Sequence, residues 1–178
     1  MAVALLFFAG PKLAGQQRKP MEYQVKAAYL QNFGRFVEWP PAIRGSTEAS
    51  FRICVLGDDP FGASLENVFA GEVIGERSVE AHRIARLKDS SSCHILFISA
   101  SEADQVKQIL SSLDRAGVLT VSDIPRFLQS GGMIQFVSRD NRIRFEINLA
   151  AVESAGLALS SELLKVALAV RTGSASGE

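Results

Sequence analysis

The tract Gly57-Asp58-Asp59-Pro60-Phe61-Gly62 is where residue type and spacing first suggest chemistry. It follows the apolar run Phe51 to Leu56 and precedes a helical pattern, and a glycine loop at such a turn can cradle phosphate on the helix N-terminus. The tract lacks the Lys-Ser/Thr of a P-loop and the third glycine of a dinucleotide fingerprint, and its aspartates would repel phosphate. A glycine turn followed by Asp59 as N-cap, with Pro60 at the first helical position, explains the same residues. Two aspartates after a first strand also suggest a phosphoacceptor site holding Mg²⁺. That site needs another Asp after a central strand and a Lys after a late one, and those positions read Ser99-Ala100-Ser101 and Ser138-Arg139.

Nucleophilic catalysis needs a positioned base. The only histidines, His82 and His94, fall on or beside predicted strands, outside any nucleophile elbow or metalloprotease spacing. The carboxylates Glu66, Asp123 and Glu146 are candidates for pairing in space, which spacing alone does not show. We therefore expect no catalytic residue, no cofactor and no metal. The aromatic series Tyr29, Phe33, Phe36 and Trp39 reads mostly as core, with Trp39, before two prolines, the best candidate for an exposed partner-binding anchor.

These residues sit on a regular alternation of elements. From Glu22 to Trp39, Tyr29, Leu30, Phe33, Phe36 and Val37 recur at helical steps, and Pro40-Pro41 ends the helix. A loop follows at Arg44 to Glu48, then a buried strand at Phe51 to Leu56 and a helix through Leu65, Val68 and Phe69. A strand is expected around Arg77 to Arg83, and another at Ile95 to Ile98. The latter leads into a helix striped by Val106, Ile109, Leu110 and Leu113. Val118 to Val121 adds a strand, and short buried runs alternating with amphipathic helices predict an α/β domain with a mostly parallel sheet. Met133 to Val137 and Arg142 to Ile147 flank Ser138-Arg139-Asp140-Asn141, which predicts an antiparallel hairpin closing one edge. Two closing helices, Leu149 to Gly156 and Ser160 to Val170, complete a single three-layer α/β domain, with Ser160 as N-cap of the second.

The chain has 178 residues, 47% of them hydrophobic, enough for one domain with a full core. Nineteen basic residues balance nineteen acidic ones, so no basic field gathers nucleic acid. The apolar run Ala2 to Ala9, stopped by Gly10-Pro11, is too short to span a bilayer and reads as the core of a secretory signal. This divides the chain into a signal or its remnant at 1–20, a folded domain at 21–170 and a disordered tail at 171–178. Export leaves two readings for Cys54 and Cys93, both in apolar runs: a disulfide, or two buried thiols.

Several motifs in one order resemble the YfiR-like family of periplasmic proteins. They are Glu22-Tyr23-Gln24-Val25-Lys26-Ala27-Ala28-Tyr29-Leu30 with Phe36-Val37-Glu38-Trp39-Pro40, then Cys54 to Gly62, Cys93 to Ile98, Val118 to Asp123, Gly131-Gly132-Met133-Ile134, and Arg144 to Leu149. The resemblance implies a periplasmic, non-catalytic regulator that represses an inner-membrane diguanylate cyclase by binding its periplasmic segment, lowering cyclic-di-GMP. It further implies a homodimer, sequestration by an outer-membrane lipoprotein, and a Cys54–Cys93 disulfide. A second cysteine pair found in such a repressor is absent here. The alternative expectation is a periplasmic small-ligand or sensor module, its pocket near Gly57, Ser99 and Ser122 at the strand C-termini.

Overall fold

The computed structural model describes residues 18–40, 50–113 and 117–173. The expected loop at 44–48, most of the signal and the end of the tail lie outside these residues. Helix α1 (Arg18–Phe36) buries Ala27, Leu30 and Phe33, spaced to fall on one face. It does not continue to Trp39. Phe36 is 38% exposed, off the buried stripe, and Val37–Glu38 instead form strand β1. β1 pairs antiparallel with β9 (Ala158–Leu159), and the Ser160 N–H donates to the Phe36 carbonyl at 2.9 Å. A partner from the far end of the chain thus satisfies one of the orphan carbonyls at the helix terminus.

The main sheet comprises β2 (Ser50–Leu56), β3 (Val73–Ile74), β4 (Arg77–Ile84), β5 (Ile95–Ile98), β6 (Leu119–Ser122), β7 (Ile134–Arg139), β8 (Arg142–Asn148) and β10 (Ala169–Arg171). Their order is β10-β8-β7-β6-β5-β2-β4-β3. Strands β4, β2, β5, β6 and β7 run parallel, while β3 is antiparallel to β4 and β8 to β7. The chain enters at β2, adds β4 on one side, then returns to add β5, β6 and β7 on the other. This is the doubly wound order, with its switch point between β2 and β5.

Alternation along the strands makes two cores. Ile53 and Val55 of β2 and Ile95 and Phe97 of β5 face α1, α2 (Ser64–Phe69), α4 (Leu149–Ser154) and α5 (Ser161–Val166). Cys54, Leu56, Leu96 and Ile98 face α3 (Val106–Ser112) and the Ile124–Leu128 turn. The expected three-layer architecture is present. Gly34, inside α1, lets the helix approach β2, because a Cβ there would lie 2.9 Å from the Phe51 ring.

Local boundaries differ where turn chemistry overrides pattern. α2 begins at Ser64, after Ala63, rather than at Asp59 and Pro60. Asp59 Oδ1 accepts from the Phe61 N–H at 2.8 Å, so Asp59 closes a turn instead of capping the helix. The hairpin forms as expected, with Arg139 opposite Arg142 and Asp140-Asn141 between them at positive φ, the backbone a two-residue turn requires. It does not form the sheet edge, however. The helix expected to reach Val170 ends at Val166, and Ala169–Arg171 add β10 parallel to β8. Ser160 caps α5, accepting from the Leu163 N–H at 3.3 Å.

Candidate functional site

The residues singled out by sequence fall into three internal clusters. The first is the switch point, where ligands of doubly wound folds bind beyond the strand C-termini. Here it is filled from within. Gly57, at φ +88°, lies against Ser101 and Glu102, whose side chains would collide with any Cβ. The Asp58 N–H donates to Ser101 Oγ at 2.9 Å, and the Ser99 N–H to the Leu56 carbonyl at 3.0 Å. Ser122 is fully buried, donating to the Ile98 carbonyl at 2.7 Å and accepting from the Ile124 N–H at 3.0 Å. Gly57, Ser99 and Ser122, expected to line a ligand pocket, are thus each engaged by neighbouring protein groups.

The second cluster pins α1 onto the end of β6. Lys26 is only 3% exposed, and its Nζ reaches Asp123 Oδ2 at 2.6 Å and Glu22 Oε1 at 2.5 Å. Tyr23 donates its hydroxyl to the same Asp123 oxygen at 2.8 Å, and Lys26 Nζ lies 4.2 Å from the Tyr23 ring centre. Burial, reinforced by the Asp123 charge and the hydrogen bond to it, pushes the Tyr23 phenol well above its ordinary range. It stays protonated and acts as a donor. Asp123 is thus paired as sequence allowed, but with a lysine and a tyrosine rather than a second carboxylate. Lys26 was legible: it precedes Leu30, Phe33 and Val37 at helical steps, a cation at the head of an apolar stripe.

The third cluster surrounds Trp39. The exposed anchor expected there is instead buried, at 7% exposure, because β1 turns the chain back over the sheet. Its indole meets Phe51 edge-on at 5.5 Å and His94 at 5.8 Å. His94 is buried, stacks on Phe51 at 4.4 Å and accepts the Arg52 N–H on Nδ1 at 3.2 Å. It is a packed histidine. His82 lies at the surface beside Glu80, 3.2 Å away, and that contact lowers the Glu80 carboxyl below its ordinary range.

Glu66 and Glu146 each face an arginine. Arg83 Nε donates to Asp59 Oδ2 at 2.9 Å, its Nη2 to the Gly62 carbonyl at 2.8 Å, and Glu66 takes the same guanidinium. This hub ties β4 to the loop before α2, and sequence reading missed it because its partners share no periodicity. Arg171 approaches Glu146 at 3.6 Å. Cys54 and Cys93 form a disulfide with 5.9 Å between Cα atoms, both cysteines buried.

Fold and clusters together define a doubly wound α/β domain, disulfide-bridged, whose buried polar groups are largely engaged with one another. The YfiR/HmsC-like family matches residues 23–168, and the chain belongs to that family. No curated protein matches it significantly. Among solved structures, a conserved domain protein from Vibrio cholerae O1 biovar eltor superposes with a TM-score of 0.55 at 9% identity. An ABC domain from Streptococcus pneumonia, solved in complex with L-Trp, gives 0.53 at 12% identity. Each match covers 84% of this chain and 60% of the other, so the likeness is one of fold. Among the described residues, no helix is long and apolar enough to cross a membrane.

Proposed function

We propose that the protein is a periplasmic, non-catalytic regulator that binds the periplasmic segment of an inner-membrane diguanylate cyclase and lowers cyclic-di-GMP output. The observation that carries this reading is the family match over residues 23–168. A buried disulfide fits an oxidising compartment, and the leader-like residues 1–20 supply the route there. Repression requires tighter binding to the cyclase's inactive state than to its active one, since equal affinity shifts nothing. The same reading includes a homodimer and release by an outer-membrane lipoprotein. A small-ligand module is less well supported, because Gly57, Ser99 and Ser122 are held by internal contacts.

The test is cellular cyclic-di-GMP in a deletion strain, complemented with the full chain or with a form lacking residues 2–17. A rise reversed only by the exported form supports the reading. No change, in a strain with a demonstrably responsive cyclase, overturns it.

A further inference from the structure

Among the described residues the second helical layer stops at β6, and none of their helices lies over the face of β7, β8 and β10 turned away from α1 along the hairpin arm. That face carries Arg139, Arg142 and Arg144. Arg139 and Arg142 are directly opposite across the hairpin, and Arg144 follows two residues on, opposite Val137. Like charges placed opposite each other destabilise a sheet pair. The two-residue turn already sets the register, so the fold draws no benefit from the repulsion. Neighbouring Arg171 has Glu146, but among the described residues no carboxylate pairs with Arg139, Arg142 or Arg144. These three cations stand together in a chain whose formal charge is zero.

The surface around them is concave. A groove of about 690 Å³ is lined by the three arginines, by Asp140 and Glu146 set among them, and by Leu168–Ala169. There β10 covers β8 only at Glu146–Asn148, and among the described residues no strand pairs with Arg142–Arg144 on that side. Across the hairpin, Arg142 also borders a second groove of about 440 Å³ that exposes Met21 and Val25, which are 68% and 41% exposed. Arginine forks suit carboxylates, an uncovered strand edge suits an extended backbone, and the exposed apolar pair suits side chains. Arg142 joins the two grooves.

We propose that this hairpin face docks an extended, carboxylate-rich segment of a protein partner, its acidic side chains on Arg139, Arg142 and Arg144. The partner's role rests on the regulatory reading above; the surface does not. A concave groove in which Asp140 and Glu146 stand among the arginines fits a chain with spaced carboxylates better than a flat anionic membrane. Charged edge residues also discourage unwanted strand pairing, a role that reversing their charge would preserve and that needs no ligand.

The experiment compares the wild-type chain with Arg142→Glu/Arg144→Glu, shown to be folded by an unchanged disulfide and thermal transition. An alternating Glu–Val nonapeptide is titrated while backbone amide resonances are followed, with a Gln–Val nonapeptide and phosphatidylglycerol vesicles as the other arms. The expected result is saturable binding of the Glu–Val peptide, shifts confined to the hairpin, residues 168–169 and the Met21–Val25 wall of the second groove, at least about tenfold loss in the double variant, and no Gln–Val binding. Shifts elsewhere, equal affinity in the double variant, or preference for the vesicles would overturn the proposal. In cells, a folded, exported double variant that represses like wild type overturns the docking surface and leaves the regulatory reading intact. Peptide docking at the hairpin by a wild-type chain that does not alter cyclic-di-GMP supports the surface and removes that reading.

Discussion

In the half of the sheet built from β2, β5 and β6, apolar layers lie on both faces, and a disulfide joins β2 to the residue before β5's lead-in. In the half built from β7, β8 and β10, one face packs on α1 through Phe33, Phe136 and Phe145, while the other presents arginines to solvent. Parallel strands are characteristically covered on both faces, whereas antiparallel ones tolerate water on one. The change of strand direction at the hairpin is therefore also a change of role: one half holds the fold, and the other leaves a surface free.

The largest expected effect lies in the first half. Replacing both Cys54 and Cys93 with Ala opens a loop with a sequence separation of 39, and the chain-entropy treatment gives a loss of about 4 kcal/mol. Urea unfolding of the double variant checks it, and no loss would break the contrast between the halves. Phe33→Ala, which removes the ring that α1 places on Phe136 and Phe145 at 5.9 and 5.0 Å, is expected to cost about 3 kcal/mol. Hydrogen exchange should then rise in β7 and β8 before β2 and β5. Asp123→Ala deprives Lys26 and Tyr23 of their shared acceptor and is expected to cost about 3 kcal/mol by calorimetry. Recovery in Lys26→Met/Asp123→Leu would show that pairing, not packing, sets that cost.

Smaller effects sharpen the comparison at the surface. The hydrogen bond from Arg83 holds the Glu66 carboxyl below its ordinary range. The pair's contribution is thus fully present above the unfolded carboxylate value of about 4.3 and is lost as pH falls through the lowered folded value. With Glu66 55% exposed, Glu66→Gln is expected to cost about 0.5 kcal/mol at neutral pH. Unfolding curves of wild type and variant should converge in acid. Arg139→Thr should act in the opposite direction, stabilising by about 0.3 kcal/mol because it relieves the repulsion with Arg142. A destabilisation measured by the same curves would show that Arg139 supports the hairpin rather than burdening it.

What was legible in the sequence follows the length of the pattern. Ile95–Ile98 and Arg142–Ile147 are runs long enough to declare burial or alternation, and both became strands near the expected bounds. Strands β1, β9 and β10 have two or three residues each, too few to show any period, and depend on partners distant in sequence. That is why α1 and α5 were read too long, and why Trp39 looked exposed. The residues of the Lys26 cluster were visible within quoted motifs, but their meeting needed the course of α1 across the sheet. The hairpin arginines were visible too; that no described helix extends over this part of the sheet is what makes them a face.

The pairing of Val37–Glu38 with Ala158–Leu159 has a consequence during synthesis. A growing chain has made α1 long before the segment that secures its C-terminal end exists, so the Phe36 carbonyl and β1 wait without their partner until residues 158–160 are made. That interval suits a chaperone that holds nascent chains. A stop codon just before residue 158 would leave the core partners of α1 in place but remove the strand that pairs with Val37–Glu38, turning a truncation far from α1 in sequence into the release of its C-terminal end.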